Sequence, residues 1–253
     1  MGCGDAHLIG HLARTLPAKH PDRIFEFYGF EVGDVGWHGD DYLARTVAFL
    51  NEQAPGYPWH ERIAVLSASG RWPYPDAGLQ IIVSNQVLEH VQEHAFVFQE
   101  IRRCLAPAGV SFHLFPLREQ IFEFHAHMPI VHWAADAGTR RSLMLLFAKL
   151  GFRRRYELSK EFHGWKNLEE FAAGYSDILG RMTNHKSARQ ITDLAEAAGF
   201  KTGFYYTKDF FWSKLLSLMQ QAPKEYGAPV STWVDDAAFP LLKRIASVTL
   251  TLR

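Results

Sequence analysis

Cysteine is scarce: Cys3 and Cys104 are the only two in 253 residues. Two thiols make no disulfide framework, and no C-x-x-C pair offers a zinc site. That usage suits a reducing compartment, so a cytoplasmic location is expected. Excess charge is also lacking. Lys+Arg and Asp+Glu number 27 each, which leaves no net field to draw in a polyanion and disfavours a dedicated nucleic-acid binder. A small or weakly charged substrate fits better. No apolar run approaches the roughly 18 residues that a membrane span requires, and the first residues show no charged segment followed by an apolar core. Internal repeats and low-complexity tracts are missing too. What remains is a chain that is 47% hydrophobic, enough to bury a full core in one α/β domain with an insertion.

Apolar periodicity then gives an order of elements. Gly2 and Gly4 suit a tight turn, after which Leu8, Ile9, Leu12 and Leu16 recur at helical spacing up to Pro17 and Pro21. Residues 24–30 read as a buried strand, and 37–56 as a helix around Tyr42, Leu43, Val47, Phe49 and Leu50. Residues 63–66 and 79–83 are two further strands, separated by the turn-rich stretch 70–78. A helix over 88–105 and a strand over 110–115 follow. Strands alternating with helices imply a parallel sheet with right-handed crossovers. From about residue 116 to 186 the alternation stops, and a helical stretch rich in aromatic residues and histidine takes over as an insertion. Residues 187–199 then read as an amphipathic helix with a serine cap and a terminal glycine, 200–211 as a strand, and 245–252 as a final antiparallel strand.

In order along the chain stand Gly2-Cys3-Gly4-Asp5, Tyr28-Gly29-Phe30-Glu31, Trp72-Pro73-Tyr74-Pro75-Asp76, the run Val83-Ser84-Asn85-Gln86-Val87-Leu88-Glu89-His90-Val91, and Glu100 to Gly109. Taken together they resemble the successive motifs of the class I S-adenosylmethionine-dependent methyltransferases, of the type 11 kind, over residues 1 to about 116. The resemblance implies a Rossmann-like α/β fold with a mostly parallel sheet, an antiparallel last strand, helices on both faces and a helical insertion. It also implies S-adenosylmethionine as cofactor. In that family the first strand lies at the centre of the sheet and ends just before the glycine turn. Here nothing precedes Met1, so the chain is expected to lack that strand through amino-terminal truncation.

The cofactor's chemistry assigns the motif residues. Gly2, Cys3 and Gly4 would cradle the methionine part, because glycine lets the backbone approach closely. Glu31, with Val32 beside it, would accept the ribose hydroxyls, as the acidic residue does in dinucleotide folds. Ser67 and Ala68 would read the adenine without the carboxylate the family often has, and Gln80 replaces the usual acid near a strand start. Asn85 and Gln86 end a strand beside the methionine part. For each of these the ordinary structural alternative stays open: a solvated glutamate, or polar residues closing a buried strand.

His90 is the candidate base, since an imidazole near neutrality can take a proton from an acceptor hydroxyl; a purely architectural role is the rival reading. His113, His125, His127 and Trp133, with Phe122, Phe124 and Met128, read as the rim of a substrate pocket. Arg140, Arg141, Arg153, Arg154 and Arg155 either grip an acidic acceptor or form a solvated face. The histidines raise a metal, but no carboxylate or cysteine recurs at ligand spacing. Ubiquinone-pathway O-methyltransferases with a similar segment hold a divalent metal near an acid three before the Glu-His pair, and that position is Gln86 here. No metal is expected.

The expectation is thus a single methyltransferase domain over 1–253, with a helical substrate cover over 117–185. It would transfer a methyl group to oxygen or nitrogen of a small molecule or glycan. The alternative is a non-catalytic binding protein of the same fold. A nicotinamide oxidoreductase is disfavoured because the start lacks the third glycine of that fingerprint.

Overall fold

Short parallel strands organise the core of the computed structural model, which describes residues 1–33, 41–222 and 233–253, the side chains of 233–235 excepted. Helix α1 (His7–Lys19) follows the glycine turn and buries Ile9 and Ala13. Strand β1 (Gly29–Val32) comes next, then α2 (Tyr42–Gln53), the single turn α3 (Trp59–Arg62) and strand β2 (Ile63–Leu66). β1 and β2 pair in parallel from Gly29 opposite Ile63 to Val32 opposite Leu66. Ile24 is 96% exposed, so the apolar run 24–28 stays outside the sheet and the strand starts later than its hydrophobicity predicts. The predicted start of the second helix, 37–40, lies outside the described residues.

Strand β3 (Leu79–Asn85) leads through a 3-10 turn at Leu88–His90 into α4 (His94–Cys104) and the long β4 (Leu105–Phe115). The single helix read over 88–105 is therefore two pieces. Within α4 the buried residues His94, Phe98, Ile101 and Cys104 fall on one stripe at helical spacing, facing the main core. β3 and β4 are parallel, with Asn85 opposite Leu114.

The insertion opens with a small hairpin of β5 (Phe122–Glu123) and β6 (Met128–Pro129). Three helices follow: α5 (Ala137–Lys149), α6 (Arg154–His163) and α7 (Leu168–Met182). Asp136 and Asn167 cap α5 and α7 by accepting from backbone N–H groups three residues on. These elements bury their own cluster, including Met128, Val131, Met144, Ala148, Phe171, Tyr175 and Leu179. α8 (Ala188–Ala197) starts at a capping box of Ser187 and Gln190.

The predicted strand 200–211 shrinks to β7 (Thr202–Gly203), after which α9 (Thr207–Leu218) begins. Aromatic residues crowd this run, and they serve helix packing instead: Phe204 stacks on Phe239 of α10 (Trp233–Ile245) at 4.6 Å. β8 (Val248–Leu252) closes the fold, antiparallel to β4 and to β7.

The strands fall into β1–β2, the four-stranded order β3-β4-β8-β7, and the β5–β6 hairpin. The first residues link the two larger groups. Cys3 N donates to Phe30 O at 3.0 Å, and the amino group of Met1 donates to Val83 O at 3.1 Å. The α/β architecture, parallel pairs, antiparallel last strand and largely helical insertion all agree with the sequence reading.

Candidate functional site

Gly2 and Gly4 both adopt left-handed backbone, at φ 59° and 48°. A Cβ on Gly2 would lie 2.6 Å from Val87, whereas a Cβ on Gly4 would enter open space. Only glycine takes both positions without strain. The turn is pinned from two sides. Glu31, at the end of β1, accepts from Gly4 N at 2.6 Å with one oxygen and from Val32 N at 3.0 Å with the other. Tyr42 of α2 donates its hydroxyl to Gly4 O at 2.6 Å and lies 3.5 Å from Cys3 Sγ. Burial pushes the Cys3 thiol pKa up, so this sulfur is held as a neutral thiol.

Ser67 and Ala68 follow the carboxyl end of β2 and are exposed, with Gly70 N closing a turn onto Ser67 O at 2.9 Å. Asn85 is exposed at the end of β3. Gln86 after it has φ 55°, and its side chain donates to Ser247 at 3.3 Å. The carboxyl ends of three strands thus carry the polar residues singled out in the sequence, which is where open α/β sheets bind ligands.

A second group of residues gathers beside Gln86. Glu123, 2% exposed, accepts from His125 Nδ1 at 2.6 Å and from His125 N at 2.8 Å. Its other oxygen lies 2.9 Å from His185 Nε2 and 3.7 Å from His132 Nδ1. One carboxylate therefore assembles three histidines. Burial works against charge on Glu123, but the bonds to His125 and His185 prevail and hold its pKa well below the usual carboxylate range. Burial likewise opposes charge on His125, yet the bond to Glu123 raises its pKa. His132 is pushed down to about 4 by burial. With Gln86, Phe122, Phe124 and Arg155 these groups line a cavity of about 160 Å³.

His90 packs edge-on against His125, ring centres 4.9 Å apart, and its Nδ1 donates to Met182 O at 2.8 Å. Burial lowers its pKa, so the ring is neutral and Nε2 carries a lone pair. Next to it the Glu89 side chain is 0% exposed, and burial raises its pKa to about 7.

The structure separates the other histidines read as a pocket rim. His113 is a core residue, because the alternation that buries Ser111 and Phe115 on β4 buries it as well. Ser111 spends its proton on Ile82 O, so it accepts from His113 Nε2 at 2.7 Å, and Ser84 donates to Nδ1 at 2.7 Å. Burial takes the His113 pKa down to about 3. His127 does not line the cavity but an adjoining depression, which shares Phe122 and Phe124 with it and adds Phe152, Arg153 and Arg154. Trp133 is 42% exposed, donates to Arg118 O at 2.6 Å and does not line the cavity. Arg140 and Arg153 give N–H groups to the carbonyls of Ser176 and Ala148, and Arg155 donates to His125 O. Sequence reasoning missed Glu89, Glu123 and His185. Glu123 stands two residues before His125, and that spacing was the available signal.

A methyltransferase-domain family model matches residues 1–202. The chain belongs to this family. It is a class I S-adenosylmethionine-dependent methyltransferase, as the ordered motifs implied. No curated protein matches it by sequence. Among solved structures, the [4+2]-cyclase SpnF is similar at 13% identity and a TM-score of 0.47, covering all of this chain (100%) and 72% of that one. A methyltransferase from Mesorhizobium loti gives 14%, 0.46, 100% and 88%. A geranyl diphosphate methyltransferase in complex with S-adenosylmethionine gives 10%, 0.43, 99% and 74%. Among the described residues no helix is long and apolar enough to cross a membrane.

The residues present fit the methyltransferase cofactor. The space over Gly4 is open where a Cβ would stand. A carboxylate offers about four lone-pair sites, and Glu31 has used two of them on backbone N–H groups.

Proposed function

We propose that this methyltransferase modifies an oxygen or nitrogen atom of a small molecule, or of one sugar of a glycan, presented in the cavity between Gln86 and the insertion. That cavity is the observation that carries the reading. One wall is Gln86, directly after β3, and the other is Glu123, His125 and His185 with the rings of Phe122 and Phe124. Its volume of about 160 Å³ is below the ~300 Å³ of pockets that enclose a whole drug-sized ligand. It suits a small polar head, with the rest of the acceptor outside.

S-adenosylmethionine supplies a methyl on a sulfonium, so no protein acid is needed for the leaving group. The chain's residues then have to hold the donor, align the acceptor and take its proton. Gly2, Cys3 and Gly4 would hold the methionine part, Glu31 and Val32 the ribose, Ser67 and Ala68 the adenine, and Asn85 and Gln86 the edge toward the acceptor. His90, neutral and with Nδ1 committed to Met182, presents Nε2 as the proton acceptor. Residues 117–185 act as the cover of a single domain over 1–253, with His125 at its inner face. His113, His127 and Trp133 have no part in the cavity.

The test is calorimetry with S-adenosylmethionine, followed by a mass-shift screen of small-molecule and glycan pools with a labelled methyl donor. Cofactor binding with a labelled small product supports the reading. Binding without any product across the pools favours a non-catalytic binding protein, and absence of binding overturns it.

A further inference from the structure

We propose that Glu89, His90 and His125 form a binding site for a divalent first-row transition cation, with Zn²⁺ the best match to two imidazoles and one carboxylate. One ligand atom from each lies within 4.8 Å of the other two. The three come from two distant segments, the turn after β3 and the β5–β6 hairpin, so no sequence spacing shows them.

Three observations carry the site. First, the Glu89 side chain is 0% exposed and neither of its oxygens has a hydrogen-bond partner. A buried carboxylate without partners is costly, and a cation is the group that compensates it. Second, both imidazoles are held as metal-binding histidines usually are, with the far ring nitrogen donated to an oxygen. His90 gives Nδ1–H to Met182 O at 2.8 Å and His125 gives Nδ1–H to Glu123 at 2.6 Å, which leaves Nε2 of each as the free nitrogen. Third, His90 Nε2 stands 4.0 Å from Glu89 Oε1. That is too long for a hydrogen bond, but bonds of about 2.1 Å to one ion bring two such atoms to ~3.4 Å, a closure of well under 1 Å.

Glu123, His125 and His185 also lie within reach of one ion. The two carboxylates differ, however. Glu123 already accepts from His125 twice, whereas the Glu89 carboxylate accepts from nothing. Glu123 is therefore the positioning residue and Glu89 the ligand.

With three protein ligands the cation keeps open positions, and His125 belongs to both the site and the cavity wall. An acceptor that offers an oxygen to the ion is the class this arrangement selects; with the ion bound, His90 Nε2 is its ligand, so His90 is the proton acceptor only in the metal-free chain and the proton of an ion-bound oxygen passes to water. That consequence rests on the cavity being the acceptor site.

The experiment uses the full chain, stripped with a chelator and dialysed. Zn²⁺ titration by calorimetry is expected to show one ion per chain with a Kd of about 1 μM or tighter. Co²⁺ should give visible absorption bands typical of low-coordinate nitrogen and oxygen ligands. Glu89→Gln and His125→Asn should each weaken zinc binding by about 100-fold, and Glu123→Gln by about 10-fold through a loosened His125. Circular dichroism checks folding; Glu89→Gln removes a buried charge and should fold at least as well without metal. Less than one zinc per wild-type chain at ~100 μM metal, or unchanged affinity in folded Glu89→Gln, overturns the site. Cofactor affinity is measured on the same samples. S-adenosylmethionine binding without zinc would end this inference and leave the methyltransferase reading standing, while zinc binding without the cofactor would do the reverse.

Discussion

Met182 O accepts the Nδ1–H of His90 at 2.8 Å, a bond across 92 positions between the turn after β3 and the end of α7. It is reinforced by Asn184, whose backbone N donates to Glu89 O at 2.7 Å and whose side chain donates to Val91 O at 3.0 Å. The last turn of the insertion is thus fastened to the segment that holds the proposed base. His90→Gln should lower turnover by about 10²-fold while cofactor affinity changes little. Rates and calorimetry on one preparation check this, and full activity without the imidazole would leave His90 an architectural residue.

Glu31 and Gly4 form a single device, because the Gly4 N–H is aimed by the carboxylate that is proposed to meet the ribose. Glu31→Ala should cost about 1–3 kcal/mol of cofactor binding. Gly4→Val should abolish binding, since its branched side chain would stand in the open space above the turn on a left-handed backbone. Calorimetric affinities equal to wild type in both variants would remove the glycine turn from the cofactor site.

Buried neutral histidines set an acid limit on stability. The pKa of His113 is about 3 and that of His94 about 4, both lowered by burial. Unfolded imidazoles bind protons below about pH 6.5, whereas these two stay neutral in the fold. Their contribution is therefore complete above pH 6.5 and is lost as the pH falls toward 4 and then 3. Urea unfolding should show a loss on the order of 6 kcal/mol between pH 7 and pH 4, about half from each histidine. His113→Asn should flatten that slope; a slope identical to wild type would show that His113 is not held neutral.

Arg103 ties the turn-rich stretch before β3 to α4. Its guanidinium pairs with Glu100 at 2.6 Å and with Asp76 at 2.8 Å, and bonds the carbonyls of Trp72 and Tyr74. Glu100 in turn accepts from Trp72 N at 2.7 Å. Arg103→Met keeps most of the volume but leaves Glu100 without its cation, and should cost about 2–4 kcal/mol in urea unfolding. A loss below 0.5 kcal/mol, the range of ordinary surface substitutions, would show that solvent replaces the guanidinium.

The turn and strand ends proposed to hold the cofactor were legible in the sequence because they are local features. Glu31, Asn85 and Gln86 sit at strand ends, which follow from apolar runs bounded by turn residues, and Gly2 and Gly4 make the turn before α1. β2, β3 and β8 emerged from the same pattern, while the aromatic run around Phe204–Phe211 misled because strand and helix surfaces both use such side chains. The acceptor side was not legible. Glu89, Glu123 and His185 are distant in the chain and meet only through the packing of α7 and the β5–β6 hairpin. His113 failed for the opposite reason: an imidazole on a strand looks the same whether it faces a pocket or two serines.

The insertion's separate cluster around Met144, Phe171 and Leu179 makes it a cooperative unit distinct from the sheet. Such units open by themselves at less than the global free energy. Amide hydrogen exchange in α5 and α7 should therefore proceed through a partial unfolding that leaves β3 and β4 protected. In that excursion the Met182 and Asn184 anchors would be released together and Glu89 would meet water, so the dryness around Glu89 lasts only as long as one small core stays closed.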